Sequence, residues 1–145
     1  MIALASDHAG FPYKERLKQL LDNLKVPYKD FGTQSAGSTD YPDWAHTASE
    51  AIARGECDRG ILVCGTGIGM SIVANKHKGI RAAVCESVTA ARLSRSHNDA
   101  NVLAIGERIT GWESVVDIVK TFLATPFEGG RHERRVKKIH SLTGC

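Results

Sequence analysis

The amino-acid sequence predicts an α/β fold: a Rossmann-like three-layer α/β/α sandwich with a five-stranded parallel sheet and an extra C-terminal helix. Two observations carry this. Short apolar runs alternate five times with longer segments of helical periodicity. The third run, residues 60–64, has no charge in it, as a strand covered on both faces requires, and right-handed crossovers then place helices on each side of the sheet.

The elements follow in order. Residues 2–6, Ile-Ala-Leu-Ala-Ser, read as a buried strand. Gly10 and Pro12 open a helix, proline being favoured in a first turn, and Leu17, Leu20, Leu21 and Leu24 recur at helical spacing. Pro27 ends it, and residues 28–31 form a second strand. Residues 32–42 are rich in Gly, Ser and Thr and read as a loop. A helix over 43–53 closes at Gly55. Residues 60–64 form a third strand that runs into a glycine-rich turn, 65–69, and a helix over 70–76. A fourth strand spans 80–85, a helix 88–96, and a fifth strand 102–105. Residues 112–123 form an amphipathic helix, broken by Pro126, and a basic helix spans about 130–142. No repeat or low-complexity tract interrupts the pattern, so residues 1–145 are expected to be one domain.

Composition excludes several classes. At 42% apolar and 24% charged, 145 residues suffice for a core without disulfide staples. No apolar run approaches the ~20 residues of a membrane span. The start, MIALASDH, lacks a basic region and meets Asp7 early, unlike a signal peptide. A cytoplasmic address is expected. The balance of 19 basic against 16 acidic residues makes no case for a nucleic-acid partner. Cys57, Cys64, Cys85 and Cys145 form no C-x-x-C pair, and neither they nor the six histidines show metal-ligand spacing. Free thiols and no metal are expected.

Ligands of parallel sheets bind beyond the carboxyl ends of the strands. Residues 64–69, Cys-Gly-Thr-Gly-Ile-Gly, occupy such an end. Alternate glycines let backbone N–H groups face a ligand. The spacing is neither G-x-G-x-x-G nor a P-loop. The segment reads either as an anion-binding turn or as a tight strand-to-helix connection. Cys64 beside it reads as a base or nucleophile, or as a small buried hydrophobe. Asp7 reads as a helix cap, and His8 as a phosphate ligand or proton shuttle. His97, in the polar run His97-Asn98-Asp99, is a candidate acid/base or a solvated loop histidine. Asp40-Tyr41-Pro42-Asp43 reads as a turn carrying a phenol. Arg131 and Arg135 share a helix face and suit a phosphate clamp, although a solvated basic face explains them as well.

Together these segments resemble one family. Ser6-Asp7-His8-Ala9-Gly10, Thr39-Asp40-Tyr41-Pro42, residues 64–69, Ala74-Asn75-Lys76, Gly79-Ile80-Arg81-Ala82, residues 94–101 and Gly129-Gly130-Arg131-His132 resemble the type B ribose-5-phosphate isomerases, in order and along nearly the whole chain. That group includes isomerases of galactose and allose 6-phosphates. The resemblance implies aldose–ketose isomerisation in carbohydrate metabolism, on the pentose phosphates, without metal or cofactor. It implies a homodimer or tetramer in which the last helix reaches the partner. It assigns proton transfer to Cys64. Some relatives have Ser there and a Glu at the position of Ser71, so the Cys version is implied. Thr66 and the N–H groups of Gly65, Gly67, Ile68 and Gly69 would hold the enediolate. His97 and Asp7 would open the sugar ring, and Tyr41 and Asn98 orient it. His8, Arg131, Arg135 and Arg108 would hold the phosphate. The alternatives are a six-carbon 6-phosphate substrate such as allose 6-phosphate, or a non-catalytic sugar-phosphate or nucleotide-binding module.

Overall fold

Five strands, all parallel, form one sheet in the order β2-β1-β3-β5-β4, and the computed structural model describes residues 1–145 throughout. The strands are β1 (Ile2–Ser6), β2 (Tyr28–Asp30), β3 (Arg59–Cys64), β4 (Ala82–Val84) and β5 (Val102–Gly106). The helices are α1 (Phe11–Asn23), α2 (Tyr41–Ala53), α3 (Ile68–Ala74), α4 (Val88–Ser96), α5 (Trp112–Ala124) and α6 (Arg131–Thr143).

Strand periodicity sorts the core into two layers. Ile2, Leu4, Ile61, Val63, Leu103 and Ile105 point to one face, where Leu17 and Leu21 of α1, Ala91 of α4, and Val115, Ile118, Val119 and Phe122 of α5 cover them. Ala3, Ala5, Leu62, Cys64 and Val102 point to the other, against Ala45, Ala48, Ala51 and Ile52 of α2 and Met70 and Ala74 of α3. The small residues on this second face let α2 lie close to the sheet. Helix α6 belongs to neither layer. Only His132 and Val136 of its residues are buried.

Several boundaries differ from the sequence reading, four of them by more than one residue or with a consequence for packing. Helix α2 begins at Tyr41, so Tyr41-Pro42 are its first turn and not the end of a loop; proline there forfeits only an N–H that has no helical partner. Helix α3 is Ile68–Ala74, drawing Ile68 and Gly69 out of the turn. The fourth strand shrinks to Ala82–Val84 because β4 is an edge strand that pairs with β5 alone, over those three residues. Helix α1 stops before Leu24, which is half-exposed at its end.

One buried charge escaped the hydrophobic pattern. Lys14 of α1 is fully buried, and its Nζ donates to both carboxylate oxygens of Asp30 at 2.7 Å. Burial alone would push the Asp30 carboxyl up. Lys14, the Gly32 N–H and Lys18 outweigh it and hold the group below its ordinary value. The pair fixes α1 on the edge strand β2. No helix is long and apolar enough to cross a membrane.

Candidate active site

The chain reverses direction across the sheet between β1 and β3, so their carboxyl ends open a crevice. Asp7, His8, Ala9, Tyr41, Cys64, Gly65, Thr66, Gly69 and Arg108 line a cleft of about 240 Å³ there. Asp7 is buried, and its Oδ1 accepts the Gly10 N–H at 3.1 Å, which ties down the turn before α1; the cap residue of that helix is Gly10 itself, not Asp7. The His8 ring is anchored through Nδ1, 3.2 Å from both the N and O of Thr39. Its Nε2 is therefore the free nitrogen in either tautomer.

The glycine turn is shaped around Cys64 and Tyr41. Gly67 has φ +77°, the left-handed region that disfavours a side chain, and its N–H donates to Cys64 Sγ at 3.1 Å. The Ile68 N–H donates to Thr66 Oγ1 at 3.2 Å, which leaves the Thr66 hydroxyl proton free to donate outward. Two of the turn's N–H groups are thus spent internally. Those of Gly65, Thr66 and Gly69 have no acceptor within the chain. A Cβ on Gly69 would lie 2.7 Å from the Tyr41 ring, so Tyr41 stands directly against the turn. The Arg108 side chain lies over Gly65, within 3.5 Å of where a Cβ would be. Cys57 and Cys85 lie elsewhere in the core, and burial pushes both thiols up.

His97, Asn98, Arg131 and Arg135 are not in this cleft. His97 caps the end of α4 and precedes β5, which places it at the amino edge of the sheet. Cys64 pairs with Gly106 at the far end of β5, and Gly60 with Val102 at the near end. Four residue steps at ~3.3 Å separate those levels, about 13 Å along the strands. The loop at the amino edge is firmly held. Arg95 donates to the Asp99 carboxylate at 2.8 Å and to the Ala100 carbonyl at 2.6 Å, and Arg81 donates to the Asp99 carbonyl at 2.9 Å. Helix α6 crosses the same edge: His140 Nε2 lies 2.8 Å from Arg81 Nη1. Arg131 and Arg135 point into solvent from it.

A model of the Ribose/Galactose Isomerase family matches residues 2–139. The chain belongs to that family. It is 48% identical over 141 residues to ribose-5-phosphate isomerase B of Escherichia coli, covering 97% of this chain and 95% of that one. The isomerase fold superposes on ribose-5-phosphate isomerase B of Clostridium thermocellum with a TM-score of 0.97 at 50% identity, covering 99% and 97% of the two chains. D-erythrulose-4-phosphate isomerase of Pectobacterium atrosepticum is 41% identical over 139 residues, 95% of this chain and 91% of its own.

Two features of this isomerase went unnoticed in the sequence. The His132 ring stacks on that of His97, centroids 4.3 Å apart and planes 11° from parallel. Burial, then the charges of His97, Arg131 and Arg135, hold the His132 imidazole below its ordinary value against the pull of Glu128. Glu107, next to the cleft after β5, is pushed up mainly by burial, although its carboxylate accepts the Tyr13 N–H. Chain position alone gave no sign of either.

Proposed function

We propose that this protein interconverts ribose 5-phosphate and ribulose 5-phosphate, and that each active site is built from two chains. The observation that carries the chemistry is Cys64 on the wall of a cleft with unengaged N–H groups and the Thr66 hydroxyl beside it. The full-length kinship to ribose-5-phosphate isomerase B supports the substrate.

The partition of residues follows from the sheet. A cis site cannot hold both Cys64 and His97, which occupy opposite edges. A second copy, laid so that its amino edge meets the carboxyl edge of the first, brings His97, Asn98, Arg131 and Arg135 to the cleft. Two apolar patches suit that contact. Ile68 and Ile72 are more than half exposed beside the cleft, and Ile139 and Leu142 are exposed on α6.

The reaction then runs in three steps. His97 of one copy, with Asp7 of the other, moves the protons that open the furanose. Cys64, as thiolate, takes the C2 proton of the aldehyde form, and charge builds on O1. The fixed N–H donors of Gly65, Thr66 and Gly69 receive that charge with little reorganisation. A proton passes between O2 and O1 beside the Thr66 hydroxyl, and Cys64 returns its proton to C1. The balance is redox-neutral. His8, Arg108, Arg131 and Arg135 hold the phosphate, Tyr41 and Asn98 the sugar. Remote phosphate binding presents the reacting carbons to Cys64.

A four-carbon substrate is the second reading, favoured by the identity to D-erythrulose-4-phosphate isomerase. Steady-state kcat/KM on four-, five- and six-carbon sugar phosphates, with solvent deuterium incorporation into product, tests both. The expected result is highest kcat/KM on ribose 5-phosphate and loss of exchange in Cys64→Ala. A higher value on the tetrose phosphate favours the second reading, and undiminished exchange in Cys64→Ala refutes the assigned base.

A further inference from the structure

The fold gathers three potential metal ligands that lie far apart in the sequence. His97 ends α4, Glu128 lies in the segment before α6, and His132 is in its first turn. One ligand atom from each lies within 4.8 Å of the others. The Glu128 Oε2 to His132 Nε2 distance is 3.5 Å. A tetrahedral zinc with bonds of ~2.0–2.2 Å sets its ligand atoms about 3.3–3.6 Å apart. One pair already meets that spacing. The His97 and His132 rings are stacked 11° from parallel, so one ring must turn out of the stack, with a shift of about an ångström, for both lone pairs to meet one ion.

The backbone beneath the three is fixed. The Glu128 N–H donates to the Ser96 carbonyl at 3.1 Å, which ties the segment before α6 to the end of α4. Arg95 and Arg81 hold the loop that follows His97. Glu128 is largely exposed, so an ion can enter from solvent.

The other histidine pair of the chain lacks this convergence. His46 and His77 approach to 2.7 Å through His46 Nδ1. The nearby carboxylate, Glu50, lies 3.7 Å from the opposite ring nitrogen, Nε2. Those groups flank the ring and do not surround one point.

We propose that His97, Glu128 and His132 form a binding site for a late first-row divalent cation of the zinc type, and that its occupancy inhibits turnover. Two imidazoles and a carboxylate select such ions over magnesium or calcium. The ion would claim the His97 lone pair that ring opening needs. The metal site stands on geometry alone; the inhibition rests on the role given to His97 under the proposed function.

The experiment uses the full chain after dialysis against a chelator and removal of the chelator. Zinc chloride is titrated by calorimetry, and cobalt binding is read by its visible absorption. One ion per chain is expected. Glu128→Gln and His132→Gln should each weaken binding at least about tenfold, while His46→Gln leaves it unchanged. Glu128 is exposed, so its variant tests the site without threatening the fold. In chelator, Glu128→Gln should turn over ribose 5-phosphate as the parent does, and it should need at least about tenfold more zinc for half inhibition. Binding that survives both Glu128→Gln and His132→Gln, or that vanishes in His46→Gln, overturns the site. Zinc bound through these residues without loss of turnover overturns the inhibition. Zinc bound as expected to a protein inactive on every sugar phosphate upholds the site and refutes the proposed function instead.

Discussion

Pairing two inactive variants tests the two-chain site directly. Cys64→Ala removes the proposed base, and His97→Asn the proposed ring-opening group; each should lose about 10²-fold or more in kcat. Cys64 ends β3 at the carboxyl edge of the sheet, whereas His97 caps α4 before β5, at the amino edge; the two levels of β5 that mark those edges lie about 13 Å apart along the strands. If the two variants are mixed, unfolded and refolded, random pairing makes about half the dimers mixed. Each mixed dimer carries one site with both lesions and one with neither. Half the sites in half the dimers is about a quarter of the activity of the unsubstituted protein. If a single chain supplied both residues, every site in the mixture would carry one lesion and nothing would return. The assay is the appearance of ribulose 5-phosphate, with mixed dimers counted by a charge tag on one variant. A mixture with mixed dimers present and activity no higher than either parent refutes the argument.

Other outcomes follow from the fold. Lys14→Met leaves the Asp30 carboxylate partly buried without its main partner and should cost about 3–5 kcal/mol in chemical denaturation; adding Asp30→Leu should recover much of this. Because the Asp30 carboxyl is held below its ordinary value, the pair contributes fully above the unfolded-state value near pH 4, and the contribution fades as pH falls through the depressed one. Acid titration of stability should therefore show a steeper loss in the parent than in Asp30→Asn. Gly69→Ala drives a methyl into the Tyr41 ring and should lower kcat/KM about tenfold or more with a melting temperature within a few degrees of the parent; unchanged kinetics would free Tyr41 from the site.

Much of the sheet was legible because β1, β5 and residues 60–64 of β3 are apolar and uninterrupted, and Cys64 with its glycine turn marks a strand end whatever follows. The start of α2 was hidden because Tyr41-Pro42 serves a turn or a first helical turn equally well. Lys14 sat among residues whose spacing announced an amphipathic helix, and nothing local reveals that a lysine on such a helix will meet Asp30. The separation of His97 from Cys64 was readable from chain order. A residue between a helix and the strand after it lies at the amino edge of a parallel sheet, while Cys64 follows its strand. The resemblance groups both residues in one site without saying which copy supplies each. The meeting of His97 with Glu128 and His132 depends on where α6 lies, and α6 has almost no buried face to declare its position.

If each site is built from two chains, as proposed, the position of its two halves at opposite sheet edges also constrains how copies can assemble. A carboxyl edge that needs another copy's amino edge is a directional demand, and head-to-tail stacking would satisfy it only by an open-ended fibre. A twofold axis that sets the two sheets side by side and antiparallel meets both demands at once and closes the assembly at two chains, or at pairs of them. Catalytic capacity then becomes second order in chain concentration near the dissociation constant of the pair. On that proposal, dilution below that point should silence the protein without unfolding any chain, because a lone copy would carry two halves of an active site and no whole one.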